Sequence, residues 1–137
     1  ARIYFADSPT RRIFTATWDT ETGTAGSLEV FATLSDGAGF PDGMTIDSAG
    51  GLWNAHWDGW RISRYHPNGC LDMEIDMPVA RPTSVAFGGP DMKTLFITSA
   101  RIGRADEPVP EGELDGDLFS VETGFTGLPE PAFAGAL

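Results

Sequence analysis

With 137 residues, 41% of them hydrophobic, the chain can bury a core as a single domain or as part of a larger one. Its 20 acidic against 9 basic residues leave a formal charge of −11, which repels phosphate backbones and excludes a basic stripe for nucleic acid. No stretch reaches the roughly 20 apolar residues of a membrane span and no secretion signal opens the sequence, while the single cysteine, Cys70, excludes an intrachain disulfide or zinc cluster and suits a reducing cytoplasm.

Glycines and prolines, 17 and 10 of them, punctuate short runs rich in β-branched and aromatic residues, which is the texture of an all-β fold. In chain order the predicted strands cover Arg2 to Ala6, Arg12 to Trp18, Leu28 to Thr33, Met44 to Asp47, Leu52 to His56, Arg61 to Tyr65 and Leu71 to Asp76. They continue over Thr83 to Phe87, Thr94 to Thr98, Asp117 to Val121 and Ala132 to Ala134. No segment carries a sustained helical period with caps. Three runs read as copies of one strand: Ile3-Tyr4-Phe5-Ala6-Asp7-Ser8, Leu52-Trp53-Asn54-Ala55-His56-Trp57 and Leu95-Phe96-Ile97-Thr98-Ser99-Ala100. They are spaced 49 and then 43 residues apart, the size of a four-stranded blade. A strand and a glycine turn precede each of the last two copies, and the second is followed by Arg61-Ile62-Ser63-Arg64-Tyr65 and a hairpin signal at Pro67-Asn68-Gly69.

The radial repetition of a propeller explains this pattern, because a blade cannot bury both faces until neighbouring blades cover them. An immunoglobulin-like sandwich is also all-β but does not account for the spaced copies. The expected organisation is a little under three blades: outer strands of one blade over residues 1–35, a complete blade over 36–79, and a last blade over 80–137 with a long insertion from Ile102 to Gly116. Propellers typically need four or more blades to close, so the ends are expected to be open and to seek a partner.

Asp42 is the first candidate for chemistry. In Phe40-Pro41-Asp42-Gly43-Met44 it is expected in a tight Pro/Gly turn just before a buried strand, where a sheet protein presents a ligand at the mouth of a pocket. Its carboxylate suits a hard cation; the plainer alternative is a turn aspartate bonded to its own backbone. His56, between Ala55 and Trp57, is either a base near neutral pH or an imidazole packed beside tryptophan. Asp7 with Ser8, and Ser84 with Thr83, lie near strand positions that could face a channel, to orient water or a ligand hydroxyl, or else to cap turns. Trp18, Trp53, Trp57 and Trp60 offer flat rings for sugar CH groups or for packing between blades. The acidic run from Asp106 to Asp117 lacks the spacing of an EF-hand and reads as a solvated loop.

Several motifs in the right order carry a resemblance over nearly the whole chain. They are Tyr4-Phe5-Ala6-Asp7-Ser8-Pro9-Thr10-Arg11, Phe40-Pro41-Asp42-Gly43-Met44-Thr45, Gly51-Leu52-Trp53, Arg81-Pro82-Thr83-Ser84, Phe87-Gly88-Gly89-Pro90 and Thr94-Leu95-Phe96-Ile97-Thr98-Ser99-Ala100-Arg101. Together they resemble the C-terminal half of the senescence marker protein/gluconolactonase/regucalcin family. The resemblance implies a six-bladed β-propeller that uses one divalent metal to open sugar lactones, with calcium foremost and magnesium, manganese, zinc and iron as alternatives. It implies a glutamate, an asparagine and the aspartate of the Pro-Asp-Gly-Met motif as metal ligands. Asp42 matches the last of these, and the other two are expected upstream of residue 1. Asp42 is thus expected to serve both as metal ligand and as the catalytic group that helps activate water, with Asp7, His56 and Ser84 as supporting or substrate-facing groups. The implied partners are a small sugar lactone and either a second copy of the chain or an upstream half. A non-catalytic half-propeller, or a calcium-binding protein without turnover, stands as the alternative.

Overall fold

The computed structural model describes residues 1–102, 113–130 and 135. The predicted strand from Ala132 to Ala134, and Asp106, Glu107 and Glu111 of the acidic run, lie outside the described residues.

Short alternating runs between turn residues become three antiparallel sheets stacked side by side. The first contains β1 (Arg2–Asp7), β2 (Arg12–Asp19), the two-residue β3 (Thr24–Ala25) and β4 (Glu29–Thr33), with β2 pairing all three others. The second is a complete meander of β5 (Phe40–Ile46), β6 (Leu52–Trp57), β7 (Arg61–Tyr65) and β8 (Leu71–Asp76). β9 (Pro82–Gly88), β10 (Thr94–Ser99) and β11 (Leu118–Glu122) form the third. The three strand copies seen in the sequence are β1, β6 and β10, each the partner of the next strand outward. No helix in the described residues is long and apolar enough to cross a membrane.

β6 shows why stacking is required. Its first five residues are buried irrespective of side-chain parity, because successive side chains point to opposite faces and both faces are covered. Leu52 joins Ile13, Phe31, Leu34 and Tyr65 on the side of the first sheet. Trp53 and Ala55 join Ile62, Val85, Leu95 and Ile97 on the side of the third. Each interface is therefore a hydrophobic core that no single sheet could close.

Two features depart from the predicted elements. β5 begins at Phe40 rather than Met44, so Asp42 lies inside a strand and not in a turn before it. Pro41 pairs with His56 and Met44 with Asn54, leaving Asp42 and Gly43 together opposite Ala55: a β-bulge that lets the ladder continue through the extra residue. After β11 the chain also turns back across the end of the second sheet. There Gly127 N–H donates to Met92 O at 2.7 Å and Ser48 N–H to Thr126 O at 2.8 Å.

This return strap covers a buried ionic cluster. Asp47, 1% exposed, accepts from Trp53 Nε1 at 2.9 Å and Arg64 Nε at 2.7 Å on Oδ2, and from the Ala49 and Gly51 amides at 2.9 Å on Oδ1. Arg64 also pairs with Asp72, and its guanidinium lies 3.8 Å from the centre of the Phe125 ring. Burial alone would push the Asp47 carboxyl up. The hydrogen bonds from Arg64, Trp53 and Gly51 outweigh it and hold the carboxyl below its ordinary value.

Candidate functional site

The bulge in β5 builds the site. Its backbone is held from three directions: Ser8 Oγ donates to Pro41 O at 2.7 Å, Asn54 Nδ2 donates to Asp42 O at 2.9 Å, and Gly43 lies directly on Ser84. A Cβ at Gly43 would fall 2.4 Å from Ser84 Oγ and 2.7 Å from Ser84 Cα, so only glycine fits there. With the main chain anchored, the Asp42 side chain stands at a cleft of about 420 Å³, lined also by Ser8, Pro9, Phe40 and Trp57. A second hollow of about 340 Å³, lined by Tyr4, Gly43, Met44 and Thr45, borders Asp42 from the side of the first sheet.

Burial, and no charged neighbour, sets the electrostatics of Asp42. The carboxyl is half-buried, and burial raises it above the ordinary value of 3.8, opposed in part by a hydrogen bond from the Gly43 amide. No cationic side chain contributes to that balance. Asp42 therefore offers hard oxygen donors in a partly desolvated place, which fits calcium or magnesium chemistry. The described residues contain no group of three or more His, Cys, Asp or Glu side chains placed to hold a metal.

The other predicted site residues divide. Ser84, exposed, abuts the bulge through Gly43, whereas Asp7 spends Oδ2 on the Thr10 hydroxyl at 2.8 Å and does not line the Asp42 cleft. His56 is 1% exposed, with Nδ1 2.8 Å from Ala38 O, and faces a different cavity from Asp42. Of the tryptophans, Trp57 lines the cleft, Trp60 is 55% exposed, and Trp53 is buried edge-on against Phe87 and Phe125. Asn54, fully buried beside the bulge, was absent from the predicted site; a polar residue in a strand otherwise largely apolar was the signal available for it.

Residues 1–101 match the SMP-30/Gluconolactonase/LRE-like region. The chain belongs to this family. Within it, 38% of 135 aligned residues are identical to a pentonolactonase from Haloferax volcanii, over 94% of this chain and 46% of that protein. A 6-deoxy-6-sulfogluconolactonase from Pseudomonas putida is 39% identical over 98% of this chain and 46% of its own length. Among solved structures, regucalcin from Agrobacterium tumefaciens, described as a calcium-binding protein, superposes with a TM-score of 0.84 at 31% identity. That match covers 95% of this chain and 44% of regucalcin. The chain thus spans a little under half the length of these relatives, and its fold is all-β, part of a β-propeller of the SMP-30/gluconolactonase kind.

Proposed function

We propose that this chain contributes the Asp42 face of a metal-dependent sugar lactonase, completed by further blades. The observation that carries this reading is a half-buried carboxyl without a cationic partner, fixed on an anchored bulge at the mouth of a cleft. The names of the relatives, lactonases of pentono- and sulfoglucono-lactones, support a sugar lactone as the substrate class. A divalent cation, when bound, would polarise the lactone carbonyl as a Lewis acid. Asp42 would supply one of its oxygen ligands, with the remaining ligands coming from outside the described residues.

The chain's own groups account for position and proton transfer. Phe40 and Trp57 present apolar surface on which the CH face of a sugar ring can lie. The Asp42 carboxylate takes a proton from the attacking water as its oxygen bonds to the carbonyl carbon; the ring C–O bond then breaks and the ring oxygen takes that proton back from Asp42, leaving as the hydroxyl of the open acid.

Hydrolysis of D-glucono-δ-lactone and a pentonolactone by the propeller completed with its further blades, with calcium and with chelator, tests the reading. Asp42→Asn should lower calcium-dependent turnover about 10²–10⁴-fold, the range of a lost general base, while the circular dichroism spectrum is kept. Undiminished turnover in the variant would overturn the assignment. A second reading, calcium binding without turnover, is supported by the likeness to a regucalcin described as a calcium-binding protein; calorimetric calcium binding with no hydrolysis of either lactone would establish it.

A further inference from the structure

Two residues with side-chain oxygens, Ser8 and Asp42, line the cleft of about 420 Å³, and Pro9, Phe40 and Trp57 complete its lining. Ser8 comes from the short turn Ser8–Thr10 that follows β1, and Asp42 from the bulge in β5, so the cleft joins the first sheet to the second. Both residues are half-buried, and neither is sealed from solvent.

The hydrogen of the Ser8 hydroxyl is already assigned. Its Oγ lies 2.7 Å from Pro41 O, and a carbonyl oxygen can only accept, so the hydroxyl donates there. Two lone pairs remain on Oγ. The adjoining turn sends no donor to them: Pro9 has no N–H, the Thr10 hydroxyl donates to Asp7 Oδ2 at 2.8 Å, and the Arg11 amide closes the turn on Ser8 O at 3.0 Å. Ser8 is therefore a fixed acceptor, held against the carbonyl of the residue that precedes Asp42.

A fixed acceptor selects its partner. The Asp42 carboxylate and the free lone pairs of Ser8 both require donors, while Phe40 and Trp57 offer apolar surface for the CH groups that carry such donors. A hydroxylated ring satisfies both demands at once, and a lactone ring of plain CH₂ groups leaves Ser8 without a partner. Because Ser8 is only half-buried, water can replace a missing donor. The selection is accordingly the size of one ordinary hydrogen bond, smaller than that of a sealed polar site.

We propose that Ser8 Oγ accepts a hydrogen bond from a ring hydroxyl of the lactone held at Asp42, which makes Ser8 a determinant of substrate specificity. The inference rests on the lactonase reading and gives Ser8 a role separate from anchoring the bulge. The test is kcat/KM for D-glucono-δ-lactone and its 2-, 3- and 4-deoxy forms, measured with the calcium-loaded complete propeller, unaltered and as Ser8→Ala. Comparing each lactone between the two proteins cancels its intrinsic reactivity. At one ring position the deoxy penalty should shrink about two- to tenfold in Ser8→Ala, the worth of one hydrogen bond between neutral groups. Loss of the Pro41 anchor alone slows all four lactones alike. A uniform fall with every deoxy penalty kept would therefore overturn the proposal and leave the lactonase reading standing. No calcium-dependent turnover of these lactones or of a pentonolactone by the unaltered propeller would overturn both. If Ser8→Ala does not fold, Ser8→Cys decides by the same ratios, because a thiol is a weak acceptor on a side chain of similar shape.

Discussion

Asp42 and Asp47 lie five positions apart and are driven in opposite directions by their surroundings. Burial raises Asp42, so the native state holds that proton more tightly than the unfolded chain. Its contribution to stability therefore falls as pH rises from the ordinary value of 3.8 through the raised native value. A bound divalent cation reverses this by favouring the carboxylate. A ¹³C titration should find the Asp42 carboxyl elevated without calcium and moved to lower pH with it; a titration that calcium leaves in place would argue against Asp42 as a ligand. Asp47 is lowered, so its stabilisation is present above 3.8 and is lost as pH falls through the lowered native value. Asp47→Ala deprives buried Arg64 of one of its two carboxylates and should cost about 3–5 kcal/mol in chemical denaturation. A loss under about 1 kcal/mol, the level of an exposed pair, would show that Asp72 alone satisfies the guanidinium.

The bulged strand β5 converts a local irregularity into a positioned side chain. Because two of its residues face one residue of β6, the ladder bends there, and the Ser8, Asn54 and Ser84 contacts hold the bend. Gly43→Ala drives a methyl group against Ser84 and should destabilise the chain by about 1–3 kcal/mol, the usual range for overpacking. Adding Ser84→Gly should recover only part of that loss, since the Ser84 Cα also lies 2.7 Å from the new Cβ. Thermal unfolding of the single and double variants reads both effects, and full recovery in the double variant would mean that the side chain alone makes the clash. The β6 strand is the structural counterpart of β5: with both faces buried, it links the two cores that hold the bulge in place.

Across the three sheets, the edges that remain unpaired point to association. Within the described residues β1 pairs only with β2 and β11 only with β10, and Phe5 on β1 is 55% exposed while Leu118 on β11 is 66% exposed. Unpaired strands beside apolar side chains invite a further sheet. Native mass determination should find a second copy of the chain or an upstream polypeptide in the assembly, together with calcium. A folded, monodisperse monomer would count against this prediction. The strap after β11 gives the last sheet a contact to the second beyond their shared core, through Phe125 on Trp53 and Arg64.

Much of this architecture was legible before any contact was known. Alternating runs, glycine turns and the spaced copies at Ile3, Leu52 and Leu95 express the blade repeat locally, because strand and turn preferences act over a few residues. The Pro41-Asp42-Gly43 motif likewise singled out Asp42, though as a turn residue, since a turn and a bulge draw on the same proline and glycine chemistry. Contacts between distant positions were not legible in this way. Ser84 meeting Gly43, Phe125 covering Arg64 and Ala38 selecting the His56 tautomer join residues 18 to 61 positions apart. Those encounters depend on how one sheet stacks on the next, and stacking is set by side-chain packing summed over whole faces, for which no short stretch of sequence carries a signal.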